Sequence, residues 1–428
     1  MSQPESSDKR LNQIVRWAEQ QTGEEKDWSA DPSYLVPRPI ERLVNRIENS
    51  SSSLDFVLAF QGTGKSVAAS YLKWRSGNEG EKLQRVLRVK LKEPGNIIHQ
   101  IFESMLEWDV EVDIQSAMQM ALLISLHDYT KSNHSFWERL NDLRSDRDIS
   151  ERAYWTIDSV QSGTVFDEER WGTPEFGPIL RILPERKLRP VEEEVVLSTI
   201  CSEDGHWVNA LVFDSPDYRR NDVRLASRDM DELSRLWQLL LTSKGWTGHF
   251  VVFMQRELNI QHFFVGKGDK ILLERFKPEE LVHHYHECFS DSFPFTAEAL
   301  LQLAAFSNGN FRRFKKYISR SIDAWGALES RNLAPTIEIS LVKEAVTDRE
   351  LAADLEAELS RLFSGEGANN ACRLVSFVMR KNGTVNQKAI AKELGLGEDV
   401  VGRVIRTLEE EKYLKRTRTA EGYIVSLA

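Results

Sequence analysis

The stretch Phe56-Val57-Leu58-Ala59-Phe60-Gln61-Gly62-Thr63-Gly64-Lys65-Ser66-Val67 decides how the rest of the chain is read. Phe56 to Ala59 is a short apolar run of the kind that forms a strand buried on both faces. Val67 to Trp74 reads as a helix. Between them, Gly62 and Gly64 let the backbone turn so that successive N–H groups converge on an anion. The helix N-terminus behind the loop adds partial positive charge. The pattern is G-x-x-x-x-G-K-[ST], with Ala59 standing where the first glycine is usual and a small residue is still required. In that pattern Lys65 reaches the β and γ phosphates and the Ser66 hydroxyl binds Mg²⁺. ATP with Mg²⁺ is therefore the expected ligand, held by Gln61, Gly62, Thr63, Gly64, Lys65, Ser66 and Val67. A glycine-rich turn with no ligand is the alternative, and the strand before and helix after argue against it.

A phosphate loop of this kind needs a metal-holding carboxylate at the end of a neighbouring strand. Ala210-Leu211-Val212-Phe213-Asp214 fits, with Ser66 and Asp214 as the predicted Mg²⁺ pair. Ser215 follows, where a hydrolysing enzyme often carries Glu, and a serine there cannot act as a base. Asp217 is near but displaced. Nucleotide binding is thus expected and hydrolysis is left open. Phe250–Phe253 reads as a further buried strand, Arg85–Lys90 as another, and Met230–Thr242 as a helix between strands. This alternation predicts an α/β P-loop NTPase fold, a parallel sheet with helices on both faces.

The 428 residues suggest two or three domains, and the net charge of −10 argues against a uniformly basic nucleic-acid coat without excluding a local patch. The N-terminus is polar and acidic, without the apolar segment of a signal peptide. Ala117–Leu126, the longest apolar-looking stretch, is about ten residues, where a membrane span needs about 20. Cys201, Cys288 and Cys372 are isolated, which fits neither a disulfide framework nor a zinc ribbon. A soluble cytoplasmic protein without membrane contact is the expectation. Residues 1–33 read as an N-terminal helix (9–22) and linker, and 34–277 as the nucleotide-binding domain with an insert at about 107–205. Residues 278–363 read as a helical lid and 364–428 as a separate tail. Within the insert region, 97–106, 114–129 and 135–143 have helical patterns, and a loop-rich part then runs through Pro184 and Pro190 without an assignable job.

The tail reads as a winged helix-turn-helix. Leu374–Met379 gives a first apolar helix, Asn382-Gly383-Thr384 a turn, Gln387–Leu394 a second helix and Gly395-Leu396-Gly397 the tight turn the motif requires. Glu398–Glu411 is the third helix, and Tyr413–Thr417 can pair with Tyr423–Leu427 as a hairpin. Ser364–Asn370 reads as the linker before them. A third helix in this position enters the major groove of duplex DNA. It would offer Arg403 and Arg406, with Lys415, Arg416 and Arg418 of the hairpin on phosphates. From residue 366 on, eleven Lys and Arg face eight Asp and Glu, a balance of +3 that leaves −13 for the remainder. Against DNA, Glu409-Glu410-Glu411 would repel a phosphate backbone, and a protein partner is the competing reading of the tail.

Four further stretches gain meaning from their order: Tyr34-Leu35-Val36-Pro37-Arg38-Pro39-Ile40-Glu41, His249–Gln255, Ile271–Tyr285 and Ser307-Asn308-Gly309-Asn310-Phe311-Arg312-Arg313. Together with the loop and Asp214, over residues 34–90 and 207–320, the chain resembles the AAA+ ATPases, and within them the initiator group that includes origin-recognition ATPases. The resemblance implies that Tyr34, Val36 and Arg38 lie near adenine and that Gln255 senses the γ-phosphate, where Asn or Thr is more usual. It implies that Arg312 of the lid contacts ATP, so that Asp214, Asp217, Gln255 and Arg312 form the catalytic set. DNA replication, or ATP-dependent targeting of DNA, is the implied role. Such proteins self-associate through an arginine finger, for which Arg256, Lys267 and Lys270 all remain open. Finally, His283, His284, His286, Glu287 and Cys288 include pairs one helical turn apart. The pairs point in different directions and no second half-site is visible, so a mixed helix face is the better reading than a metal site.

Overall fold

The computed structural model describes residues 7–19, 36–37, 39–49, 52–60, 62–78, 86–92, 96–106, 185–201, 208–216, 223–243, 245–256, 268–327, 336–360, 362–381, 384–411, 413–420 and 422–427. Five parallel strands form the central sheet: β1 (Ser53–Ala59), β2 (Val86–Lys90), β3 (Ala210–Asp214), β4 (His249–Gln255) and β5 (Asp269–Leu273), in the order β2-β3-β4-β1-β5. Because side chains alternate across a strand, the apolar runs divide between two cores. Phe56, Leu87, Val89, Leu211, Phe213, Phe250 and Val252 pack on one side with α4 (Ile97–Leu106), α5 (Glu185–Ile200) and α6 (Val223–Ser243). Val57, Val86, Val212, Val251, Phe253 and Ile271 pack on the other with α2 (Ile40–Asn49) and α3 (Lys65–Asn78). The α/β P-loop NTPase fold read from the sequence is the one the chain adopts. Parallel pairing puts the C-terminal ends of β1, β3 and β4 side by side, with Ala59 opposite Gln255 and Asp214 opposite Phe253.

Three local expectations are corrected. Asp269–Leu273 is a fifth strand, not part of an approach to the lid; Ile271 and Leu273 bury against β1 while Asp269 and Lys270 stay exposed at the sheet edge. Glu185–Ile200 is a helix that includes Pro190, where loop was expected. Burial of Val191, Val195, Val196 and Ile200 outweighs the hydrogen bond that the proline removes. α12 (Glu366–Arg380) begins inside the expected linker, with Ala368 and Asn370 already buried. The helices expected at 114–129 and 135–143, and the loop-rich part up to 184, lie outside the described residues.

Beyond the sheet come the lid helices α7 (Pro278–Phe289), α8 (Ala297–Ser307), α9 (Phe311–Ala327), α10 (Ile339–Ala345) and α11 (Asp348–Leu359). The Thr296 hydroxyl accepts from Ala299 N–H at the start of α8, and Thr347 with Glu350 forms a capping box on α11. The tail follows as α12, β6 (Thr384–Asn386), α13 (Gln387–Leu394), α14 (Glu398–Glu410), β7 (Leu414–Thr419) and β8 (Gly422–Leu427), with an antiparallel sheet in the order β6-β8-β7. β6 starts at Thr384, the last residue of the turn expected over 382–384, and supplies the third strand. Lid, tail and α1 (Ser7–Glu19) share one apolar core that also takes in Phe60 of the glycine loop.

A buried carboxylate ties these parts together. Glu358 of α11 accepts from Arg275 at 3.0 Å, Arg313 at 2.6 Å, Asn310 at 3.4 Å and the Tyr413 hydroxyl at 3.3 Å. Arg275 comes from the segment after β5, Asn310 and Arg313 from the start of α9, and Tyr413 from the tail. Arg275 also stacks 4.0 Å from the Tyr413 ring centroid and 4.9 Å from that of Phe60. Burial alone would push the Glu358 carboxyl up, but Arg275 and Arg313 together hold it below its ordinary value of 4.5. A carboxylate depressed in the fold contributes stability that is present above its unfolded pKa and is lost as pH falls through the folded one. Glu358→Gln takes the countercharge from two buried guanidinium groups and should cost about 3–5 kcal/mol. Thermal denaturation between pH 3 and 7 should show this loss at neutral pH and a flatter acid limb than in the wild type.

Candidate nucleotide site

The loop after β1 has the backbone its glycines permit. Gly62 has φ of +77° and Gly64 of +85°, both in the left-handed region. Thr63 is fully buried and its hydroxyl donates to the Phe60 carbonyl at 2.8 Å, so it braces the turn instead of facing a ligand. Lys65 opens α3 and its Nζ donates to the Ser215 carbonyl at the end of β3. The Ser66 hydroxyl donates to Asp214 Oδ1 at 3.3 Å. Hydroxyl and carboxylate oxygens so placed are hard donors of the kind Mg²⁺ takes, and the predicted pair is brought together. Gln255, at the end of β4, is buried, and its Nε2 has no hydrogen-bond partner among the described residues. Ser215 is buried as well and its hydroxyl donates to the Phe253 carbonyl at 2.7 Å, so it serves the sheet and offers no base.

The helical region read as a lid touches the loop. Phe311 N–H donates to the Gly62 carbonyl at 3.2 Å. A small cleft of about 40 Å³ is lined by Phe60, Gly62, Gly64, Lys65, Ser66, Val67, Phe311 and the exposed Arg312. Arg312 thus lies beside the glycine loop. A second cleft of about 450 Å³ is lined by Val36, Pro37 and Pro39, by Arg275 and Phe276, and by His283 and His284. That volume is typical of small-ligand pockets. Phe311 joins the two clefts, with its ring centroid 6.4 Å from Phe276 and 5.3 Å from His284. Val36 therefore lies on the larger cleft; Tyr34, Arg38, Gln61 and Asp217 lie outside the described residues. His283 pairs with Glu287 at 3.2 Å and His286 with Ser292 at 2.9 Å.

Other expected groups are placed less simply. Arg256 is turned inward, 4.9 Å over the Phe60 ring, and donates to the Glu410 carbonyl at 3.2 Å. Lys270 is exposed on β5, and Lys267 lies outside the described residues. On the tail, Arg403 and Arg406 are exposed on α14, and Lys415 and Arg418 on β7. Arg416 is half-buried, paired with Glu409 at 3.4 Å and stacked 4.8 Å from the Tyr423 ring. Sequence reasoning missed Arg88, whose Nη2 donates to Asp214 Oδ2 at 2.8 Å. The signal was available: it is the one charged residue inside the apolar run Val86-Leu87-Arg88-Val89.

No protein-family model matches the sequence, and a search of the curated proteins found no match either. Several solved structures match at low identity. One, described as the structure of Drosophila ORC bound to DNA, is 12% identical over 100% of this chain and 91% of its own, with a TM-score of 0.41. The Aeropyrum pernix ORC2 protein in ADPNP–ADP complexes is 11% identical over 92% of this chain and 91% of its own, with a TM-score of 0.37. The Thermotoga maritima RuvB Holliday junction branch migration motor is 12% identical over 91% of each chain, with a TM-score of 0.32. At such identities the chemistry of the site has to be read from its own residues.

Gly62→Ala tests the loop. A methyl group there would sit 2.2 Å from the Asn310 side chain, on backbone that L side chains rarely adopt. A fluorescent ATP analogue should bind this variant at least about tenfold more weakly than wild type, with lowered thermal stability.

Proposed function

We propose that this chain is an ATP-binding AAA+ protein of the initiator type, which places a C-terminal winged helix on duplex DNA under the control of nucleotide. The observation that carries the reading is the shared boundary of the glycine loop. Gly62 touches the lid through Phe311 and Asn310, and Phe60 touches the tail through Tyr413, at 5.9 Å between ring centroids. Phosphates in the loop would meet its backbone N–H groups, Lys65 and the guanidinium of Arg312, with Gln255 at the neighbouring strand end. Ser66 and Asp214 would hold Mg²⁺, which supplies positive charge at the phosphates. Drawing Arg312 onto the phosphates moves α9, and the common core carries the tail with it. With Ser215 as the neighbour of Asp214, binding and release of nucleotide, not rapid turnover, set the state.

DNA would meet Arg403 and Arg406 on α14 and Lys415 and Arg418 on the hairpin, with Arg416 held back by Glu409. Origin recognition in replication, or ATP-dependent targeting in another DNA transaction, are the roles this chemistry serves. A regulatory ATPase whose tail grips a protein is the second reading. It is favoured by the acidic run Glu409–Glu411 at the end of α14 and by the pairing of Arg416.

Lys65→Ala removes a charge-assisted phosphate contact and should weaken ATP binding about tenfold or more. In the wild type, ATP should tighten binding to duplex DNA measured by fluorescence anisotropy, and Lys65→Ala should abolish that response. Unchanged DNA affinity with nucleotide bound would end the coupling idea. The double variant Arg403→Ala/Arg406→Ala should flatten the dependence of log affinity on log salt by about 1.8, at about 0.9 per lost phosphate contact. A protein-gripping tail would show no such salt dependence at all.

A further inference from the structure

The carboxylate expected to hold the metal is already neutralised from within the chain. Arg88 projects from β2 toward α3, and its Nη2 donates to Asp214 Oδ2 at 2.8 Å. Its Nη1 donates to the hydroxyl of Ser70, one turn along α3 from Ser66. The Arg88 side chain is 1% exposed and that of Asp214 6%, so the pair is closed to solvent. The second Asp214 oxygen accepts from Ser66. Both oxygens of the carboxylate are therefore engaged, one by a full positive charge.

Resting on the nucleotide-site reading above, we infer that Arg88 stands in for part of the divalent cation's charge, so that this protein holds ATP with little dependence on Mg²⁺. Two effects act in the same direction. In a site with a bare carboxylate, a metal-free nucleotide polyanion is repelled by that carboxylate, and the metal relieves the repulsion by sitting between them. Here the Arg88–Asp214 pair is neutral overall, so metal-free ATP meets no such repulsion. A metal ion, for its part, gains less from a carboxylate whose charge is already cancelled, and it feels the nearby guanidinium. The arrangement is also self-holding. A guanidinium does not give up its proton, and taking Asp214 from it would cost a buried charge-assisted hydrogen bond. Arg88 is a positioning residue here, acting on the nucleotide through Asp214.

The test is titration of the full chain with a fluorescent ATP analogue, in Mg²⁺ and again in EDTA. Wild-type affinity should change by less than about threefold between the two conditions, while Arg88→Gln should lose about tenfold or more on chelation. A tenfold loss in the wild type, or a Gln variant as indifferent to chelation as the wild type, would overturn the inference. Absence of binding even in Mg²⁺ would instead bring down the nucleotide-site reading and this inference with it. Should Arg88→Gln fail to fold, Mn²⁺ titration of ATP-loaded wild type by electron paramagnetic resonance decides the matter. Mn²⁺ held no more than about threefold tighter than by free ATP supports the role of Arg88, and Mn²⁺ held tenfold tighter overturns it.

Discussion

Everything beyond the sheet hangs on one buried carboxylate. Glu358 is 3% exposed and is kept charged by Arg275 and Arg313 on either side. An ion cluster of this kind is not a simple source of stability, because desolvating its members costs much of what their attraction returns. Its value is geometric. The two guanidinium groups, the Asn310 amide and the Tyr413 hydroxyl each have a preferred direction of approach, and all four converge on two oxygens. An apolar contact in the same place would tolerate sliding; this one fixes where the lid starts, where α11 ends and where the tail begins its hairpin.

The same cluster sits against the phosphate loop. Arg275 lies over both Phe60 and Tyr413, and Arg256 covers Phe60 while reaching the C-terminal end of α14. Cations over aromatic faces hold well when desolvated but accept small rotations. The ion cluster is the stiff joint and the aromatic stack is the compliant one. A loop that changes shape around a ligand would therefore pass its displacement through Phe60 while Glu358 keeps the lid and tail in register.

Much of this was legible in the sequence, and the divide follows from the physics. Strands buried on both faces announce themselves as unbroken apolar runs, which is why β1, β3 and β4 could be read directly. β5 sits at an edge with Asp269 and Lys270 exposed, so only half of it is apolar and no run forms. The loop was legible because phosphate chemistry demands particular residues at fixed spacing. Glu358 was not, since Asp-Leu-Glu-Ala-Glu-Leu looks like any solvated helix and nothing local separates Glu358 from Glu356. Its partners Arg275, Arg313 and Tyr413 lie 83, 45 and 55 positions away. Only folding reveals which acidic residue of a helix is inside. Arg88 stands between these cases: a charge inside a buried strand signals that a partner exists without saying which.

The first helix carries a consequence of a different kind. Trp17 of α1 sits edge-on against Tyr285, Phe289 and Phe311, and Arg10 reaches Asp291. These partners lie on α7, just after it and at the start of α9, nearly three hundred residues later in the chain. On a ribosome adding about 5–20 residues per second, Trp17 and Ile14 emerge roughly 15 to 60 seconds before anything exists to cover them. Through that interval the chain trails an amphipathic helix whose apolar face has no partner yet. The helix that opens the sequence is thus among the last to find its place, and its docking can occur only once the lid has formed.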